Sequence, residues 1–170
     1  VQEDVDGLEV ARDPNVAGSV AVGNRPSGGA SLTFDFPVNF AQPPVNYQDA
    51  SLTNLFYWVN YAHDVLYHYG FNEAAGNFQM TNYTGLGLGN DPIHAFGQAL
   101  TTIGPFFYPT PDGTAPILCM SDNSMFVTGP LRDADFDTGV IVHELTHGLT
   151  TRLVGGPANY TVLSSPQGAG

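Results

Sequence analysis

Residues 135–156 read "DFDTGVIVHELTHGLTTRLVGG", and the organisation of the whole chain turns on them. Carboxylates at Asp133 or Asp135 suit the positive end of a helix, and Gly155-Gly156 followed by Pro157 suits its end, which predicts a helix over about 135–154. Each helical residue advances about 100°, so His143 and His147 lie about 40° apart on one face, with Glu144 about 60° from His147. Val142, Leu145, Leu149 and Leu153 take the opposite side, and Phe136 and Val140 flank the histidines. The expectation is a largely buried helix that holds two histidines rigidly.

That spacing lets both imidazoles reach one metal ion while Glu144 stands beside it. Catalytic zinc takes three protein ligands and a water, and coordination lowers the water's pKa towards about 7. A neighbouring carboxylate can then take the water's proton and pass it to a leaving amine. The candidate metal ligands are therefore His143 and His147, the candidate cofactor zinc, and the candidate catalytic base Glu144. Two core histidines in a helix would give the same letters, and the helical setting favours the metal. Asp133, Asp135, Asp137 and Glu144 also stand at the first, third, fifth and twelfth places of an EF-hand count. The sixth place is Thr138 where that loop needs glycine, so helix capping is the better account and calcium is retained only as a second candidate ion.

Upstream, "YQDASLTNLFYWVNYAHDVLYHYGF" places Leu52, Leu55, Phe56, Val59, Ala62, His63 and Leu66 at helical spacing. A long helix is expected over about 50–69, with Asp49 or Ser51 as N-cap and Gly70 as its stop. Residues 1–46 read as β and irregular structure, including the alternating "SLTFDFPV". Between the helices, "GNFQMTNY", "APILCM" and "SMFVTG" are expected strands. The fold class is α+β: short strands and loops, one long helix and a C-terminal active-site helix. Residues 1–46 and 47–170 are expected to form one structural unit.

The 170 residues, 42% of them hydrophobic, suffice for one domain core. Sixteen acidic residues against four arginines and no lysine give a net charge of −12, which argues against nucleic acid or anionic membrane as partners. The opening "VQEDVDGLEV" has no apolar segment of a signal peptide, so a secreted form would already be processed. Two sequons, at Asn82 and Asn159, lend weak support to export, and the lone Cys119 reads as a small buried hydrophobe.

The segments "LFYWVNYAHDVLYHYGFNEAAGNFQ", "GLGNDP", "PTPDGTAP" and "RDADFDTGVIVHELTHGLTTRLVGGPAN" together resemble the fungalysin metallopeptidases, secreted zinc endopeptidases related in fold to thermolysin. The match runs with gaps from about Phe34 to the end of the chain. It implies a thermolysin-like zincin N-terminal lobe, a zinc endopeptidase activity on protein or peptide substrates, an extracellular location and an inhibitory propeptide. It also assigns zinc ligation to His143 and His147 and the base to Glu144.

The family's third ligand is a glutamate in a following "GMGEGWSD"-like segment. No Asp or Glu occurs in residues 145–170, so that ligand is expected beyond Gly170, in a C-terminal lobe. Without it, this chain alone is expected to be inactive. A second departure lies at "GQALTTIGPFFYPTPDG", which lacks the paired asparagines of the family's substrate-holding edge segment and leaves open how Ile103–Phe107 would hold substrate. The alternative function is a non-catalytic, fungalysin-like binding module. His63 and His68, five apart, point about 140° from each other on a helix and read as structural, as do Phe56, Tyr57, Trp58 and Tyr61. His94 reads as a loop histidine, Asp4, Asp6, Glu9 and Asp13 as a solvated acidic stretch, and Arg152 as a partner for the helix dipole.

Overall fold

The computed structural model describes residues 25–99, 104–121 and 133–164, together with the backbone of 9–11. Two helices, α1 (Gln48–His68) and α2 (Thr138–Leu153), pack against a small mixed sheet of β1 (Glu9–Ala11), β2 (His94–Ala99), β3 (Phe106–Tyr108) and β4 (Ile117–Ser121). The class is α+β. Strand order is β1-β2-β4-β3, with β2 parallel to β1 and to β4, and β3 antiparallel to β4 on one edge.

Leu52, Leu55 and Val59 of α1 bury one stripe against Ala95 of β2, Leu118 and Met120 of β4, and Ile141 and Leu145 of α2. Across the sheet, Phe96, Ala99 and Cys119 form a second, smaller cluster. The two central strands are thus buried on both faces. That explains why "HAFGQA" is a strand although its letters do not alternate: a strand covered on both sides has no polar face to display. The histidine expected in a loop, His94, is its first residue.

Helix α1 follows a short 3-10 turn, Pro44–Tyr47, and its N-cap is Tyr47 rather than Asp49 or Ser51. Asp49 instead lies in the first turn, where its charge suits the helix dipole, and Ser51 is buried. The chain leaves α1 through Gly70 at φ 104°, a conformation glycine adopts without strain. Of the α1 aromatics, Phe56 and Trp58 lean on the core, whereas Tyr57 and Tyr61 are about half exposed and stack on each other.

The expected strand "GNFQMTNY" is an irregular segment, as is "SLTFDFPV" beyond a 3-10 turn at Gly29–Ser31. Glu73 organises the first of these: its buried carboxylate accepts from the backbone N–H groups of Tyr83 and Thr84, each at 2.7 Å, and from Gln79 Nε2. Backbone groups satisfied by a side chain have no need of a neighbouring strand. "APILCM" overlaps β4, while "SMFVTG" and the side chains of the acidic stretch from Asp4 to Asp13 fall outside the described residues. Among the described residues no helix is long and apolar enough to cross a membrane.

Candidate metal centre

Helix α2 begins later than its aspartates suggest. Asp133 caps a 3-10 turn at Ala134–Phe136 by accepting from the Asp135 N–H, and the helix itself starts at Thr138. Its cap is Asp137, whose Oδ1 accepts from Gly139 N at 3.0 Å and Val140 N at 3.2 Å. Phe136 stays outside the helix and does not flank the histidines; its ring packs edge-on against Phe40 and Tyr47.

The buried residues of α2 are Ile141, Glu144, Leu145, Gly148 and Arg152, while His143 and His147 are exposed. Measured from His143, the buried stripe is centred near 150° around the helix, and Val142 and Leu153 sit roughly a third of a turn beyond it. Both are exposed, at 41% and 54%. The expectation of a largely buried helix with Val142 and Leu153 inward is therefore corrected. The reason is packing that hydrophobic letters do not encode. Gly148 admits the rings of Phe107 and Phe78, which would lie 2.5 Å and 2.9 Å from a Cβ there. Arg152 is buried despite its charge.

Arg152 is fixed on every side. Its guanidinium pairs with Asp91 at 3.0 Å and Asp112 at 3.3 Å, donates to the carbonyls of Gly76, Thr110 and Pro111, and covers the Phe78 ring. It is a core clamp rather than a dipole partner at the surface, tying the end of α2 to the loops around 76, 91 and 110–112. Burial pushes the Asp91 carboxyl up to about 6, against the hydrogen bond and charge of Arg152.

On the open side of α2, the His143 and His147 rings stand perpendicular with centroids 4.8 Å apart, and their Nε2 atoms are separated by 3.2 Å. Two nitrogens bound at about 2.0–2.1 Å to a tetrahedral zinc ion would be about 3.3 Å apart. The pair fits two corners of that geometry. Glu144, 7% exposed, lies between the histidines and the buried stripe, so its carboxylate is sheltered beside them. Among the described residues no group of three His, Cys, Asp or Glu side chains converges.

The remaining histidines are placed elsewhere. His63 Nδ1 contacts Asp64 at 3.2 Å and its Nε2 lies 3.1 Å from Asn77 Nδ2, while His68 is exposed next to Tyr67. His94 is half-buried, and burial, together with Arg25, lowers its pKa.

A second polar cluster lies under the lead-in to α2. Asp133 and Asp135 are 4% and 0% exposed, and Ser51 of α1 contacts both, at 2.8 Å to Asp133 Oδ2 and also against Asp135 Oδ2. From β2, the Gln98 N–H donates to Asp135 and Gln98 Nε2 to Asp133. Asn54 donates to the Asp135 carbonyl. These contacts anchor the turn to α1 and β2, and α2 begins at Thr138, so the stretch does not form the twelve-residue loop of an EF-hand. The clue in the sequence is only that "DADFD" carries more acids than one helix cap needs.

Two histidines one helical turn apart on the exposed side of α2, with a buried glutamate next to them in sequence, form a candidate metal site, and the comparisons with known proteins give the family. The model of the fungalysin metallopeptidases (M36) matches residues 4–170, and the chain belongs to that family. It is 40% identical over 164 residues to extracellular metalloproteinase 3 of Arthroderma otae and to that of Trichophyton soudanense, covering 95% of this chain and 25% and 41% of those proteins. Extracellular metalloproteinase MEP of Fusarium vanettenii is 42% identical over 159 residues, which cover 92% of this chain and 25% of that protein. The chain thus spans between a quarter and about two fifths of the length of these relatives.

Proposed function

We propose that this chain is the zinc-binding, thermolysin-like N-terminal lobe of a secreted metalloendopeptidase, contributing His143 and His147 as two of three metal ligands and Glu144 as the general base. The observation that carries the reading is the 3.2 Å approach of the two Nε2 atoms on an exposed helix face with a sheltered carboxylate beside them. Family membership supports the metal as zinc, and the relatives' names support an extracellular site of action on protein or peptide.

When bound, zinc would polarise the scissile carbonyl and make a water easier to deprotonate near neutral pH. The chain's own residues do the rest of what is assigned here. His143 and His147 would present their Nε2 atoms to the ion from the exposed face of α2. Glu144 accepts a proton from the attacking water on a carboxylate oxygen and returns it to the leaving amine nitrogen. The edge of β3, packed beside α2 through Phe107 and Gly148, offers backbone groups to an extended peptide. The asparagines that the family uses there are missing, so any such pairing would rely on backbone alone.

The third ligand is assigned to a C-terminal lobe that seats over the exposed α2 face, which also leaves Val142 open next to His143 in sequence. A propeptide covering the same face is the corresponding inhibitor. The test is metal removal from the full-length protein. Chelation should abolish peptide hydrolysis, and stoichiometric zinc should restore it. Peptide binding that survives chelation in a protein with no hydrolytic activity before or after would instead establish the non-catalytic module.

A further inference from the structure

Counting hydrogens around Ser51 exposes a requirement the fold must meet. The Ser51 hydroxyl has one proton but lies within hydrogen-bond range of two carboxylate oxygens, Asp133 Oδ2 and Asp135 Oδ2. It can donate to only one. The other contact needs a second proton, and the two acids are the groups able to hold it. Asp133 is the better anion: it receives the Asp135 N–H on Oδ1 and Gln98 Nε2 on Oδ2, besides Ser51. Asp135 receives the Gln98 N–H and otherwise meets only Ser51 and the Asp133 carboxyl group, a contact that itself needs a proton, and its Oδ1 is fully buried with no hydrogen-bond partner. An ionised carboxylate with one oxygen unmet in a dry interior is costly, whereas a neutral acid leaves only a carbonyl unmet.

We propose that Asp135 is held as a neutral carboxylic acid, donating to Ser51, which donates to the Asp133 carboxylate, and that in this form it positions the helix carrying His143 and His147. The chain of donors runs from the lead-in turn of α2 to α1 and back, and Gln98 ties both acids to β2. Gly97 belongs to the same device, since a Cβ there would come within 2.4 Å of Asp135 Oδ2. Facing the Asp135 carboxyl are Ser51 from α1, Gln98 from β2 and Asp133 from its own turn, while Asn54 of α1 holds its main-chain carbonyl. Among the described residues no cation pairs with it. Burial raises Asp135 well above the ordinary aspartate range and the Asp133 charge raises it further, in agreement with the proton count.

The role as a positioning residue rests on the proposed metal centre, but the protonation state does not, so the experiment reads each separately. Infrared difference spectra of the full-length protein should show the carbonyl stretch of a protonated carboxylic acid at neutral pH that is absent from Asp135→Asn. Thermal unfolding of the wild type should weaken on the alkaline side, and in Asp135→Asn, whose amide can still donate to Ser51, that weakening should vanish or move up by at least about one pH unit. Peptidase activity should follow the same alkaline profile. The absence of an acid band in the wild type would overturn the proposal even if the variant fails to fold, as would an alkaline profile unchanged in a folded Asp135→Asn. Loss of the band and of the alkaline unfolding with an unaltered activity profile would refute the positioning role alone.

Discussion

His143, Glu144 and His147 divide their duties by exposure. The histidines stand free on an open helix face, so the fold does not depend on them, whereas Glu144 is sheltered at the margin of the core. His143→Ala or His147→Ala should therefore change the unfolding free energy of the metal-free protein by no more than about 0.5 kcal/mol, as for other surface substitutions. Zinc content measured on the same samples should fall to background. A stability loss of several times that size in the metal-free state would mean the rings are structural. In the sequence these three letters were legible because the i, i+4 spacing alone brings two rings together. The proton economy of Asp135 was not, because it depends on Ser51 and Gln98, which lie 84 and 37 residues away in the chain.

At the scale of elements, α1 and α2 could be read from periodicity since each commits one stripe to the core. Their ends could not be read as well. The acids before α2 look alike in sequence, yet Asp137 caps the helix, Asp133 caps the preceding turn and Asp135 is buried. The rotation of α2 was misjudged for a related reason: Gly148 and Arg152 are counted as non-apolar, but one receives an aromatic ring and the other forms a fully buried clamp. Strand β2 was hidden because burial on both faces removes the alternation by which strands are found. The clamp carries a prediction. Arg152→Met should destabilise the fold by about 3–5 kcal/mol in denaturant unfolding, because it takes away the cation paired with the buried Asp91 and with Asp112. A loss below about 1 kcal/mol would show that Asp91 adapts by taking a proton.

For the molecule as a whole, buried acids set the pH response. Asp91, raised to about 6, contributes stability that is fully present below the ordinary aspartate value of about 3.9 and is lost as pH rises through about 6. Asp133 and Asp135, also raised by burial, act in the same direction. Glu73 is lowered: burial pulls it upward, but hydrogen bonds from Thr84, Tyr83 and Gln79 outweigh that, so its contribution is lost as pH falls through the acid range. His94, lowered by burial and Arg25, adds stability above about 6.5 that is lost on acidification, opposing the aspartates over part of the range. With three acids against one half-buried histidine, the metal-free protein should melt several degrees higher at pH 5 than at pH 8, as calorimetry can check. Equal melting temperatures would mean the buried acids are better solvated than their surroundings suggest.

The same scale decides the function. The chain carries two convergent histidines and a sheltered glutamate, and family membership places them in a metallopeptidase lineage, while among the described residues no third His, Cys, Asp or Glu joins them. The most direct measurement is the peptide-hydrolysis rate of full-length Glu144→Gln with its zinc content determined on the same sample. The account predicts that zinc is retained and the rate falls by at least about 100-fold, the usual contribution of a positioned general base. Hydrolysis at the wild-type rate with zinc still bound would contradict it.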